Sequence, residues 1–177
     1  MHTKKASMMS KFIALLLTIG GIAGVAICGW TCVKLAFYQS QPIFSLAAGL
    51  LVIFAIIFAL CIWIGVDLWR GRPQAYKWAK VLLALQIPAI TTPGFAYQFY
   101  TGMLLLAYWN HGEGKLGADF EVASSFTLTI SSRIEDSIVG VNLVALAAFI
   151  YLVYVSRKTT QQAPVTAQSA VGSDQSN

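Results

Sequence analysis

The sequence predicts an all-α integral membrane protein: four transmembrane helices, with a short β-containing extracytoplasmic loop between the third and fourth. Three observations carry that expectation: four long runs without charge, a lopsided placement of basic residues, and aromatic residues gathered at the ends of the runs. With 57% hydrophobic and only 11% charged residues, the chain has too few polar side chains to cover a water-soluble globule, for which about 25% charged is usual. Lipid is expected to do the covering.

The uncharged runs are residues 12–33, 46–66, 81–110 and 137–156. Each reaches the roughly 20 residues that cross the hydrocarbon core as a helix. Backbone amides in lipid must bond internally, which favours the helix for every run. The spans are placed at 12–33, 44–68, 80–109 and 134–156 within a transmembrane domain of 12–156, with an outer loop at 110–133. A basic segment, 1–11, precedes them. Residues 157–177, rich in Gln, Ser, Thr and Ala, are too polar to bury a core and are expected as a disordered cytoplasmic tail.

Orientation follows from the basic residues. Lys4, Lys5, Lys11, Arg70, Arg72, Lys77, Lys80, Arg157 and Lys158 fall on one side of this map, and only Lys34, Lys115 and Arg133 on the other. The positive-inside rule then places both termini in the cytoplasm. Trp30, Tyr108 and Trp109 fall at the outer interface and Trp63, Trp69 and Trp78 at the inner one, where amphipathic rings collect. A rival reading takes the start of the chain as a secretory signal cleaved after Gly24-Val25-Ala26. Against it, the apolar character continues through Trp30 to Val33. The small size and basic flanks point to a bacterial cytoplasmic membrane and a multi-pass protein.

In the third run, Pro88 and Pro93 flank Thr91-Thr92 and precede Gly94. Proline deletes a helical hydrogen bond and clashes with the preceding turn, so a helix break is expected there. Freed carbonyls at this depth either line a site between half-helices or are met by the Thr hydroxyls in a simple kink. Thr91, Thr92, Gln98 and Asn142 form the candidate intramembrane polar site, with an amide pair between Gln98 and Asn142 as the bland alternative to a solute path. In the first run Gly20 and Gly24 form GxxxG, a face for close helix packing on this chain or on a second protomer.

Asp67 adjoins Arg70 and Arg72 and is expected to pair with one of them at the interface. Arg70, Arg72, Lys77 and Lys80, with Trp69 and Trp78, are expected to contact anionic lipid headgroups. The outer loop alternates apolar and hydroxyl residues from Phe126 to Ser131, and Phe120-Glu121-Val122 shares the period, a strand signature with one apolar face. That face lies on the helix ends or on lipid, or forms an edge strand for another protein. Ser132-Arg133-Ile134-Glu135 reads as a capping box opening the fourth helix.

Cys28, Cys32 and Cys61 lie in apolar runs without acid or His neighbours and are expected as structural thiols, not metal ligands. His2 and His111 fall on opposite sides of the map, and no nucleophile–base arrangement or phosphate loop is present in the sequence. No metal, cofactor or nucleic-acid partner is expected, since the basic residues form no face interleaved with aromatics. Two functions follow as expectations. The first is a non-enzymatic scaffold or accessory subunit contacting a membrane partner through the glycine face and the outer loop. The second is a small oligomeric transporter or channel that uses the Pro-broken third helix.

Overall fold

The first two uncharged runs become α1 (Met8–Phe37) and α2 (Phe44–Trp69). In the computed structural model, which describes residues 7–37, 44–131 and 137–161, they pack as an antiparallel hairpin. Glycines set their spacing: a Cβ on Gly21 would lie 2.7 Å from the Phe58 carbonyl oxygen, and one on Gly65 2.8 Å from that of Ala14. The stretches Met8–Lys34 and Gly49–Trp69 are long and apolar enough to cross a membrane.

α2 stops where Gly71 adopts φ +73°. Arg72 N–H then donates to the Asp67 carbonyl and Gly71 N–H to that of Leu68, a Schellman closure that needs the left-handed residue. Arg72 is extended and Pro73 opens α3 (Pro73–Gln86), a position where proline's missing N–H costs nothing. Asp67 pairs with Arg72 at 3.0 Å. α3 buries Ala75, Ala79, Leu82, Leu83 and Gln86, one face at helical spacing.

α3 ends at Gln86 because Pro88 has no N–H to continue the helix and its ring would clash with the carbonyl four residues back. Ile87, still in helical geometry, closes the last turn by donating its N–H to the Ala84 carbonyl at 3.4 Å. Six strands follow: β1 (Pro88–Thr92), β2 (Gly94–Tyr100), β3 (Leu104–Asn110), β4 (Lys115–Glu121), β5 (Ser125–Ser131) and β6 (Ile138–Asn142). They form one antiparallel sheet in the order β4-β3-β6-β1-β2-β5. Pro93-Gly94 is the β1–β2 turn, with Thr92 opposite Phe95 and Gly94 at φ +89°. The chain closes with α4 (Leu143–Gln161).

The expectation of an all-α four-span protein is overturned. Residues 80–109 divide into the end of α3 and three strands, and residues 138–142, placed in the fourth span, are a strand. Pro88 and Pro93 therefore do not kink a helix: one begins a strand and the other forms a turn. The physical reason is that a charge-free run must satisfy its backbone, and a strand ladder does so as fully as a helix. Ile90, Thr91, Thr92, Phe95, Tyr97 and Phe99 are β-branched or aromatic and favour the ladder. The apolar part of α4, Leu143–Arg157, falls short of the roughly 20 residues of a span.

The proposed capping box at 132–135 lies outside the described residues, as do residues 1–6 of the basic segment and 162–177 of the tail. α4 begins at Leu143 instead, and Asn142 caps it by accepting from the N–H groups of Val144 at 3.1 Å and Ala145 at 3.4 Å. α4 also runs through residues 157–161, the start of the segment expected as a disordered tail.

Two cores result. Ile13, Leu17, Phe58, Cys61, Leu68, Ala79, Leu83, Ala145 and Leu152 join all four helices into a bundle around the first half of α1. Ala89, Tyr100, Leu104 and Leu106 form a smaller cluster on one face of the sheet. The opposite face of β2 and β5 docks on α2, with Phe126 stacked on Phe54 at 3.9 Å and Phe99 5.8 Å from Phe58.

Candidate functional site

The sheet is curled. Tyr100 on β2 donates a hydrogen bond to Glu121 Oε2 on β4, although three strands lie between them. Four strand spacings in a flat sheet would separate them by about 19 Å. The bond requires β4 to fold back toward β2, leaving an incomplete barrel with β4 and β5 as its two edges.

Alternation along each strand then sorts the side chains. The concave face carries Thr91, Gln98, Tyr100, Tyr108, Asp119, Glu121 and Thr127 beside the apolar Ala89, Leu104, Leu106 and Ile138, while the convex face carries Phe95, Phe99, Leu105, Trp109, Leu116, Phe120, Phe126, Leu128, Val139 and Val141. On the convex side Leu116 is 79%, Phe120 59% and Val139 54% exposed. A soluble barrel has the reverse polarity, with its apolar side chains inside.

The concave face encloses a cavity of ≈ 290 Å³ lined by Ala89, Thr91, Tyr97, Gln98, Leu106, Tyr108, Asp119, Glu121 and Ile138. Two carboxylates and several hydroxyl or amide groups meet there, and no basic side chain lines it. Burial pushes the Tyr100 phenol well above its usual range, and the hydrogen bond to Glu121 and the negative charge of that carboxylate add to the effect. Tyr100 thus remains protonated and acts as a fixed donor. Tyr97 is also raised by burial, and its hydroxyl donates to the Leu85 carbonyl at 2.7 Å, tying β2 to α3.

The floor of the curled sheet rests on α1. Ser124 Oγ donates to the Gly20 carbonyl at 2.7 Å and accepts from Gly102 N–H at 3.1 Å. A Cβ on Gly20 would lie 2.5 Å from Gly102 N. Beside this junction, Gln86 Oε1 accepts from Thr101 N–H at 3.3 Å and from its hydroxyl at 3.2 Å. The amide nitrogens of Gln86 and Asn142 are buried with no hydrogen-bond partner among the described residues.

Of the residues singled out in the sequence, Thr91 and Gln98 meet in the cavity. Thr92 is on the opposite face, where its hydroxyl donates to the Phe95 carbonyl at 3.4 Å. Asn142 faces Leu106 across the ladder but spends its carbonyl oxygen on α4 and on Leu105 N–H at 3.5 Å. The expected Gln98–Asn142 amide pair does not form among the described residues: the Asn142 oxygen is taken by Leu105, Val144 and Ala145. Pro88 and Pro93 frame β1. Gly20 and Gly24 both pack within the chain, Gly24 against the Phe58 ring. Arg70, Arg72, Lys77 and Lys80 lie at the α2–α3 corner and along α3, and none of them lines the cavity.

The sequence reads Asp119 and Glu121 as solvated charges of the outer loop, in preference to a loose metal site with His111 and Glu113, and Tyr108 as an interfacial ring; it does not bring them together with Tyr100. The period-two pattern of Phe95-Ala96-Tyr97-Gln98-Phe99 was the available signal for a strand here, masked by the length of the uncharged run. Among the described residues no three His, Cys, Asp or Glu side chains come together to hold a metal ion. No protein-family model, curated protein or solved structure matches the chain.

Proposed function

We propose that this chain is a non-enzymatic accessory protein of a membrane, anchored by the α1–α2 hairpin, with the curled sheet as its contact element. The observation that carries this reading is the inverted polarity of the sheet. The exposed apolar residues of the convex surface add to those on the flanks of the hairpin, where Ile19, Ile22, Ile53 and Ile56 are 53–56% exposed. Large apolar patches of this kind suit lipid or a protein partner and are costly in water.

Depth supports the same reading. Gly20 lies about 18 Å along α1 from Met8 at helical rise, near the middle of the stretch Met8–Lys34. If that stretch crosses a bilayer, the floor of the sheet at Thr101 and Gly102 sits near mid-depth, where a water-facing exterior is excluded. Lys11, whose ammonium lies 5.5 Å from the centre of the Trp69 ring, and Arg70 and Arg72 just after α2 meet at one end of the hairpin, and by the positive-inside rule this favours that end as the cytoplasmic one of a bacterial membrane.

The test is extraction. The full chain should stay with the membrane pellet after alkaline carbonate washing and need detergent for a monodisperse state. Release into carbonate, or a monodisperse preparation in plain buffer, sinks the proposal.

The cavity favours a second reading, in which a small polar or cationic solute enters the concave face. Thr91, Gln98, Asp119 and Glu121 supply acceptors without a competing base. It predicts that Gln98→Cys is modified by a positively charged thiol reagent faster than by a negatively charged one, and that proteoliposomes take up a small cation. Equal labelling rates together with no flux exclude it.

A further inference from the structure

We propose that β4 is a self-pairing strand, through which two copies of the chain join antiparallel about a two-fold axis at Ala118. β4 is an edge of the sheet, bonded only to β3, and all its residues except Gly117 are exposed. An open edge is a template for another strand, and natural edges are normally short, covered or charged.

The sequence of this edge, Lys115-Leu116-Gly117-Ala118-Asp119-Phe120-Glu121, complements its own reverse. With Ala118 on the axis, Lys115 stands opposite the partner's Glu121, Leu116 opposite the partner's Phe120, and Gly117 opposite the partner's Asp119. Residues directly opposite share a face, so the ion pairs form on the concave side and the apolar pairs on the convex side. Leu116 and Phe120 are among the most exposed apolar side chains of the sheet, at 79% and 59%, and this register covers both.

Charge and apolar cover together select the register. Moving the axis to Asp119 sets that carboxylate against its own copy. Moving it to Gly117 keeps an ion pair, Lys115 with the partner's Asp119, but sets Phe120 opposite the partner's Gly114 and Leu116 opposite the partner's Ala118, so the two large apolar side chains no longer cover each other. Lys115 is held only by Glu113, at 3.2 Å with both side chains more than 60% exposed, a contact readily exchanged. β5, the other edge, is Ser-Phe-Thr-Leu-Thr-Ile-Ser, without charge to choose a register. The pairing goes beyond the membrane reading and does not depend on it, although an edge immersed in lipid would need such a partner.

Disulfide trapping in the full chain, with exposed Cys32 changed to Ser, tests the proposal. Opposed residues have Cα atoms about 4.5–5.5 Å apart, within disulfide range. Ala118→Cys should therefore form a cross-linked dimer with itself. Leu116→Cys and Phe120→Cys, both on the exposed convex side, should cross-link when mixed and much less when each is alone. Lys115→Glu should raise the dimer dissociation constant by about tenfold or more, since each copy then meets the partner's Glu121. A monomeric mass at every concentration, or equal cross-linking of Leu116→Cys with itself and with Phe120→Cys, overturns it.

Discussion

The Tyr100 phenol and the Glu121 carboxylate, on strands separated by three others, are joined by a hydrogen bond. That contact converts an open sheet into a curled one, and it makes the cavity. Tyr100 is 2% exposed, so its hydroxyl is kept from water and depends on Glu121 and the neighbouring Ser125 hydroxyl.

Tyr100→Phe should therefore cost about 1–3 kcal/mol by denaturant unfolding, with faster hydrogen exchange of the β4 amides. Glu121→Gln, which keeps an acceptor, should cost less. Unchanged β4 exchange in Tyr100→Phe would show that the curl does not depend on this bond.

The same phenol sets an alkaline limit. Its folded value is raised above the unfolded one, so the unfolded chain loses this proton first as pH rises. The stabilisation is complete below about pH 10, the ordinary tyrosine value, and is lost progressively above it. Unfolding midpoints measured between pH 8 and 11 should fall at the alkaline end for the parent chain and less steeply for Tyr100→Phe.

Three glycines on α1 should rank by what surrounds them. A Cβ on Gly20 meets backbone at 2.5 Å, one on Gly24 meets the Phe58 ring at 2.2 Å, and one on Gly29 meets nothing within 4 Å. Gly20→Ala should cost about 1–3 kcal/mol through overpacking. Gly24→Ala should cost somewhat less if the ring can turn, and Gly29→Ala should be neutral or mildly stabilising through helix propensity. Thermal midpoints in one detergent check the order; a neutral Gly20→Ala would contradict the packing of the sheet floor on α1.

Asn142 joins β6 to α4 as a cap. Asn142→Ala should lose about 0.5–2 kcal/mol, whereas Asn142→Ser keeps a capping oxygen and removes the buried, unpartnered nitrogen. The serine variant should unfold later than the alanine one. The reverse order would remove the cap from the account of where α4 starts.

Several features were legible in the residues. The two long helices follow from uncharged runs without proline, and the Asp67–Arg72 pair from adjacent opposite charges. The strand at 125–131 follows from strict alternation, whereas Pro88 and Pro93 signalled an interruption inside a third helix and not the end of one. The third and fourth spans were not legible, because an uncharged run carries the same composition whether its amides bond along a helix or across a ladder. Only neighbours distant in the chain, such as Val139 beside Ile90 and Trp109, decide between them. The cavity was half legible: Thr91 and Gln98 stood out as polar residues in an apolar run, but Asp119 and Glu121 looked like ordinary loop charges.

What the sequence determined by itself is therefore local: where charge is absent, where proline and glycine interrupt a helix, and which segments carry one apolar face. The tertiary structure alone decided that these faces turn outward, that Tyr100 meets Glu121, and that Gly20 carries the sheet. The physical reason is that hydrophobicity and backbone propensity act over a few residues. Which amides pair, and on which side a cavity closes, depend on contacts between elements far apart in the chain, and no short window of residues contains them.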